Sequence, residues 1–277
     1  MPVLSIYKNT DFAEERSPYS LIDGNKYRRY ELCLGFVQTI IGDYFPAAEN
    51  EGTRELFYTL GTIACCIDTH LDDLDTGQKE ILLTEFPGFF DALEQVKSEE
   101  AFAYHLSALC TRLGTSLYPP SAASLLYGFY VYCRQRNMLK QLKEFSLAVI
   151  CSGIDKSRAS SAKEILACLA MEGGAAIHFL LQLLQAEKVI DTDGKKLLSL
   201  TKYLQRLERM LNIADDLADG RKDKKRGTIT LPTNAGFYFV MGSRLFKTFF
   251  VTLAKNNLRF LRHFTQFTGR DIFSELR

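Results

Sequence analysis

The chain has 277 residues, and 47% of them are hydrophobic, enough to bury a substantial core, so the composition excludes an intrinsically disordered protein. Its formal charge is +1, from 34 basic against 33 acidic residues, which argues against a nucleic-acid binder. The balance is uneven, because residues 221–270 contain eleven Lys or Arg and a single acid, Asp223.

Apolar residues recur at spacings of three and four through most of the chain, and strand signals are nearly absent. This pattern predicts an all-α protein, and with no linker between domains we expect a single domain over 1–277. The predicted helices cover residues 26–43, 52–74, 79–96, 99–115, 121–151, 160–187, 193–219, 234–256 and 257–267. We expect the fifth helix to break near Asn137 and the segment "SGIDKS" at 152–157 to lie between helices.

The first acidic cluster lies in "CIDTHLDDLDTG", residues 66–77, directly after an apolar run. Positions four apart share one face of a helix, so Asp68 and Asp72 project together, with Asp73 flanking them and Asp75 one turn further. The cluster is predicted at a helix C-terminus, where the helix dipole disfavours carboxylates. A cation is therefore needed to make these charges tolerable.

Two adjacent glycines, Gly173 and Gly174, interrupt the apolar helix "ILACLAMEGGAAIHFLLQLL". Glycine inside a helix costs roughly 1 kcal/mol relative to alanine, so the pair predicts a kink or a close approach by a neighbour. Ordinary packing of small residues is an equal alternative.

The second acidic cluster, "LNIADDLADG" at 211–220, repeats the spacing of the first: Asp215 and Asp219 are four apart, and Asp216 and Asp219 three apart. We predict that it too ends a helix. Oxygen ligands in this arrangement suit Mg²⁺, which is usually held by a few carboxylates together with phosphate and water. The alternative, two solvated helix ends, leaves the shared spacing unexplained.

The basic segment "GRKDKKRGTITLP", residues 220–232, follows the second cluster. We expect it to form a flexible cationic loop that closes over a phosphate or diphosphate. Further along, residues 244–267 combine Phe and Leu with Arg and Lys at helical spacing. They predict a covering helix packed on the core, or alternatively a helix at a membrane surface or a partner.

Seven cysteines lie within apolar segments without metal-type spacing, which indicates free thiols in a reducing compartment. The first residues carry charges where a secretory signal needs an apolar stretch, and no run approaches the roughly 18 residues of a membrane span. We therefore expect a cytoplasmic protein. Its oligomeric state stays open, and a homodimer is one of the alternatives.

Both clusters resemble the aspartate motifs of the class I isoprenoid synthase superfamily. "DTHLDD" resembles the D-T-x-x-D-D motif of squalene and phytoene synthases, and "NIADDLADGRKDKKRGTITLP" resembles the second motif and following loop of these enzymes and of polyprenyl diphosphate synthases. The resemblance implies an antiparallel helical bundle with a central apolar cavity, in which three Mg²⁺ hold the diphosphate of an allylic prenyl substrate. Its implied metal ligands are Asp68, Asp72, Asp73, Asp215, Asp216 and Asp219, and its implied diphosphate ligands Lys222, Lys225 and Arg226; no further catalytic residue is assigned.

Departures from the family pattern bear on the subclass. "DGNKYRRYELC" weakly resembles the isopentenyl diphosphate site of chain-elongating enzymes and suggests Lys26, Arg28 and Arg29 as further diphosphate ligands. The arginine pair after the first motif is missing, and the expected Lys-Thr on a middle helix is replaced by Lys156-Ser157, predicted in a turn. These departures favour a terpene cyclase. The alternatives are a head-to-head or chain-elongating prenyl synthase and a non-catalytic prenyl-lipid-binding or regulatory subunit.

Overall fold

A computed structural model describes residues 24–116, 118, 120–191, 194–226 and 235–268. The described side chains are those of the same residues except 24–32, 121, 215, 218–226, 257–259 and 264–268. Within these ranges the chain forms nine α-helices, one short 3-10 helix and no strand, which confirms the all-α prediction.

The helices follow one another through short connections. They are α1 Gly24–Tyr44, α2 Glu51–Asp72, α3 Thr76–Leu93, α4 Glu99–Leu113, α5 Pro120–Gln135, α6 Leu139–Arg158, α7 Ala162–Ala186, α8 Gly194–Arg226 and α9 Ala235–Thr268, with the 3-10 helix Pro46–Glu49 between α1 and α2.

The chain divides into two compact units, which are described separately. Among the described residues, the first unit comprises those within 24–30 and 59–154, and the second comprises those within 31–58 and 155–268. The boundaries fall inside α1, α2 and α6, and a single domain over the whole chain stays a prediction.

In the first unit α4 packs between α3 and α5. Its core includes a cluster of branched side chains: Leu74, Leu82, Leu109, Leu113, Ile150 and Ile154. Local caps fix the helix ends, because Ser98 accepts a hydrogen bond from the Ala101 amide at the start of α4. Gly114, at φ +66°, ends α4 in the left-handed conformation that glycine adopts without strain.

The predicted break near Asn137 is confirmed. Helix α5 ends at Gln135 and α6 begins at Leu139, with Asn137 itself at φ 57°, in the left-handed region that asparagine tolerates better than most residues. The predicted break at "SGIDKS" is wrong, since α6 continues to Arg158. The next helix begins at a stronger signal, Ser161, whose hydroxyl accepts from the amide of Glu164.

In the second unit α7, α8 and α9 pack against one another around Ile165, Leu169, Ile213, Phe237 and Met241. Helix α7 carries eleven buried residues. Of the described helices it alone is long and apolar enough to cross a membrane by length and composition, so the expectation that no run approaches a membrane span is wrong. The core helix of a protein passes the same test.

A buried hydrogen-bonded chain links three helices of the second unit. His263 on α9 lies with Nε2 2.7 Å from Asp43 Oδ2 on α1 and Nδ1 3.0 Å from Tyr203 Oη on α8. Because a carboxylate only accepts, Nε2 donates to Asp43, and in the neutral imidazole Nδ1 accepts from the Tyr203 hydroxyl. Arg262 donates to the other Asp43 oxygen at 2.6 Å. These bonds fix α9 along α8.

Candidate functional site

The first acidic cluster occupies the end of α2. Asp68 and Asp72 lie one turn apart on the same face and are half-buried, and Asp73 follows in the exposed turn. Since α2 ends at Asp72, these carboxylates do lie at the negative end of a helix dipole. The local electrostatics therefore favour a cation at this end.

Asp75 has a different role from the three aspartates before it. Its Oδ1 accepts from the Gln78 amide at 2.8 Å, while Gln78 Oε1 accepts from the Asp75 amide at 2.9 Å. This reciprocal pair is a capping box that starts α3. Gln78 also donates to the Leu113 carbonyl at 2.9 Å, which joins the start of α3 to the end of α4.

The face of α2 opposite Asp68 carries Cys66 and His70, each two residues away in the sequence. The His70 ring packs at 4.5 Å from the Tyr118 ring, and burial lowers the pKa of His70, an effect that the charge of Asp73 opposes. Burial also raises the pKa of Tyr118 and raises that of the Cys66 thiol to about 11. Burial therefore disfavours the charged forms of all three groups.

The second acidic cluster contains a buried ion pair. Asp216 on α8 is 3% exposed, and its Oδ1 accepts a hydrogen bond from Lys156 Nζ of α6 at 2.6 Å. Its Oδ2 is also buried and has no hydrogen-bond partner among the described residues. A buried carboxylate oxygen without a partner costs roughly 1–3 kcal/mol or more, so a ligand that bound this atom would remove that cost.

Polar side chains continue from Asp216 back along one face of α8. Glu208, Asn212 and Asp216 are spaced four residues apart and form a stripe that we call the α8 polar track. Asn212 Nδ2 donates to Glu208 Oε1. Burial, together with the nearby charge of Glu172 on α7, raises the pKa of Glu208 to about 8. Glu208 therefore holds a proton at neutral pH and can donate it.

The two glycines of the predicted pair have different surroundings. A Cβ added at Gly173 would overlap the Glu208 carboxylate, whereas a Cβ at Gly174 would meet nothing within 4 Å. Gly173 thus allows the α8 polar track to lie directly against the backbone of α7, which itself runs unbroken from Ala162 to Ala186. A close approach occurs at the first glycine, and the second has no comparable neighbour.

The basic segment after the second cluster differs from its prediction. Helix α8 does not end at Asp219 but continues to Arg226. The prediction of a flexible loop is therefore wrong for residues 220–226. The prediction that the second cluster ends a helix is wrong for the same reason. Acids and bases three residues apart in the sequence, as Asp219 is from Lys222 and Asp223 is from Arg226, favour the added turns together with cations at the C-terminus. Residues 227–232 lie outside the described part of the chain.

Several predicted site residues have a described backbone but no described side chain. All lie in helices: Lys26, Arg28 and Arg29 in α1, and Asp215, Asp219, Lys222, Lys225 and Arg226 in α8. Among the side chains that are described, no three His, Cys, Asp or Glu converge on a metal position. The metal and diphosphate assignments of these residues stay predictions.

Sequence reasoning missed Lys156, Glu208 and Asn212. Lys156 was expected in a turn but lies in the last turn of α6, where its ammonium group reaches Asp216. Glu208 and Asn212 share with Asp216 a spacing of four, but α8 contains many other polar residues, such as Lys202, Arg206 and Arg209, so this spacing did not distinguish them.

The described chain is thus an all-α protein whose second unit contains a buried lysine–aspartate pair with an unpartnered carboxylate oxygen. Comparisons with protein-family models, with curated proteins and with solved structures find no match. The resemblance to class I isoprenoid synthases therefore rests on the two aspartate motifs.

Proposed function

We propose that the protein is a Mg²⁺-dependent class I isoprenoid synthase that ionises an allylic prenyl diphosphate, most specifically a terpene cyclase. The observation that carries this proposal is Asp216, a buried carboxylate with Oδ1 bound to Lys156 and Oδ2 without a partner among the described residues. A protein that used this acid only to pair with lysine would gain nothing by burying the second oxygen.

The donor set suits Mg²⁺. In this proposal the ions are held by carboxylates of both clusters: Asp68, Asp72 and Asp73 from the first, and Asp215, Asp216 and Asp219 from the second. All are hard oxygen ligands, and the buried Asp216 Oδ2 is the kind of atom that such a cation would satisfy. Bound Mg²⁺ would supply positive charge to the diphosphate leaving group.

The chain's own cations have two tasks in this scheme. Lys156, with a side chain that is 15% exposed, donates a hydrogen bond to Asp216 and presents an ammonium group beside the acids. Lys222, Lys225 and Arg226 on the last turns of α8, with Lys26, Arg28 and Arg29 on α1, are proposed to bind diphosphate oxygens. A central apolar cavity in an antiparallel bundle would shield the allylic cation from water.

Prenyl joining is the second candidate, and one observation favours it. Lys156-Ser157 lies on a helix, not in the expected turn, and Lys156 contacts an acid of the second cluster. This placement reduces one of the departures that argued against chain elongation, although serine still stands where the family has threonine. The missing arginine pair after the first motif still favours cyclisation.

The decisive experiment incubates the full-length protein with geranyl, farnesyl or geranylgeranyl diphosphate, with and without Mg²⁺. Diphosphate release and gas chromatography of the extracts measure turnover. A cyclase forms a hydrocarbon or alcohol from one substrate, whereas a joining enzyme forms product only when isopentenyl diphosphate or a second allylic diphosphate takes part. Absence of metal-dependent release from every chain length would refute the proposal.

Variants separate catalysis from prenyl-lipid binding. Asp72→Ala and Asp216→Ala should each lower turnover by at least about 10³-fold if both clusters act on one diphosphate. A non-catalytic lipid-binding subunit would retain its binding of a prenyl chain in both variants. Asp75→Ala is the matched control, because its carboxylate caps α3.

A further inference from the structure

A lysine already occupies one side of the buried acid in the second cluster. Lys156 Nζ donates to Asp216 Oδ1 at 2.6 Å, while Asp216 Oδ2 is buried without a hydrogen-bond partner among the described residues. The two side chains are 15% and 5% exposed, so water screens little of any charge that arrives at Oδ2. A second cation at this carboxylate would therefore experience the ammonium group of Lys156 directly.

Two cations cannot share this carboxylate without repelling each other. An ion bound to Asp216 Oδ2 would lie within a few ångströms of the Lys156 ammonium group, because both partners bind oxygens of the same carboxylate. Mg²⁺ carries twice the charge of an ammonium group and requires a nearly ideal octahedron of oxygen ligands. Lys156, in contrast, can turn about the bonds of its flexible four-carbon stem. The lysine is therefore the partner that would move.

The surroundings of Lys156 offer its ammonium group other acids. Cys168 on α7 is 7% exposed, and burial is the main cause that raises the pKa of its thiol. Asp155 and Glu172 raise this pKa further, and Lys156 lowers it. Because these three charged side chains act on one thiol, they lie near one another. Lys156 can thus leave Asp216 without losing every nearby carboxylate.

We propose that Lys156 is the resident counter-ion of Asp216 and that a divalent cation displaces it. Without the ion, the ammonium group neutralises the buried acid; with the ion, Lys156 turns towards the carboxylates near Cys168. Lys156 thereby sets the Mg²⁺ concentration at which the second cluster is loaded. The inference rests on the proposed function for the identity of the ion, but its tests need no prenyl substrate.

Mn²⁺ binding to the full-length protein, followed by electron paramagnetic resonance, measures the competition, since Mn²⁺ takes the same oxygen ligands as Mg²⁺. The ion to follow is the one that Asp216→Leu no longer binds. Lys156→Met should bind this ion at least about tenfold more tightly than the wild type, because no ammonium group opposes it. Lys156→Met/Asp216→Leu should lose that gain. The matched control, Lys202→Met, removes an exposed lysine of α8 and should bind like the wild type.

Nuclear magnetic resonance of the wild type, produced with isotopically labelled lysine, shows whether Lys156 moves. The Cε signal that Lys156→Arg lacks belongs to Lys156. Mg²⁺ should shift this signal at the concentration that half-fills the site lost in Asp216→Leu, and should leave the Lys202 signal in place. This measurement keeps the proposal testable even if Lys156→Met does not fold, which circular dichroism verifies.

The two possible failures can be told apart. If neither the wild type nor Lys156→Met binds an ion that depends on Asp216, with or without inorganic diphosphate, the metal site of the proposed function is refuted together with this inference. If that ion binds Lys156→Met no more tightly than the wild type, or the Lys156 signal stays in place as Mg²⁺ binds, only the displacement of Lys156 is refuted.

Discussion

Lys156 Nζ lies 2.6 Å from Asp216 Oδ1, and this pair joins the last turn of α6 to the middle of α8. Both side chains are poorly exposed, at 15% and 5%, so their mutual attraction is screened little by water. The pair spans 60 residues of sequence. It is therefore a tertiary contact within the second unit between residues far apart in the sequence.

Removing the lysine should destabilise the protein and create a metal-dependent form. Lys156→Met leaves Asp216 buried and unpaired, so we expect the free energy of unfolding to fall by about 3 kcal/mol. If Asp216 binds Mg²⁺, adding the ion should restore part of this loss, because a ligand that binds only the folded state stabilises it. Urea denaturation with and without Mg²⁺ measures both effects.

The matched variant for this measurement is Lys156→Met/Asp216→Leu, in which no buried charge remains. It should lose less stability than Lys156→Met alone and should not respond to Mg²⁺. Equal Mg²⁺ responses in the single and double variants would show that the ion acts elsewhere.

The first acidic cluster can be separated experimentally from the cap beside it. Asp75→Ala should lower the free energy of unfolding by about 1 kcal/mol through the lost capping box, and turnover per folded molecule should stay unchanged. Asp72→Ala should instead lower turnover by at least about 10³-fold under the proposed function. Thermal unfolding and diphosphate release measured on the same samples test this division. A turnover loss in Asp75→Ala as large as that in Asp72→Ala would contradict it.

Helices were predictable here because the apolar spacing that specifies them is local. The predicted helix ends were wrong where a glycine indicated a break but the helix continues through it. Gly153, in "SGIDKS", lies inside α6, where the aliphatic part of Lys79 would be 3.7 Å from an added Cβ. Gly220 lies inside α8, which continues to Arg226. In both cases the helix continues through the glycine, whose intrinsic cost is only about 1 kcal/mol.

The candidate site was predictable only within each helix. Spacing alone identified Asp68 with Asp72 as one face, because that relationship is fixed by helix geometry. The contact of Lys156 with Asp216 depends on how α6 and α8 pack, which no local pattern records. The same holds for Gly173, where only the packing of α8 distinguishes this glycine from its neighbour.

The two adjacent glycines of α7 should respond differently to alanine. Gly174→Ala adds a methyl group where nothing lies within 4 Å, so the free energy of unfolding should rise by roughly 0.5–1 kcal/mol through helix propensity. Gly173→Ala gains the same propensity but must displace the Glu208 carboxylate, and its stability should fall clearly below that of Gly174→Ala. Chemical denaturation of both variants measures the difference. Equal stabilisation by the two would show that Glu208 does not need the space.

Glu208 should make the stability of the protein fall as the pH rises. Its pKa is raised from 4.5 to about 8 in the folded chain, by burial first and then by Glu172, so between these values the folded state keeps a proton that the unfolded state has lost. The contribution of Glu208 to the free energy of unfolding should therefore be largest below about pH 4.5. It should then decrease by up to about 1.4 kcal/mol per pH unit until about pH 8.

Replacing this carboxyl group with an amide tests the origin of that slope. Glu208→Gln keeps the shape and the neutral form of the side chain, so the fall in unfolding free energy between about pH 5 and about pH 8 should be much reduced. The control is Glu51→Gln, at an exposed position of the same unit, which should leave the slope in place. Urea denaturation across this pH range measures all three proteins. A slope that persists unchanged in Glu208→Gln would assign it to other groups, and would remove the case for Glu208 as a proton donor on the α8 polar track.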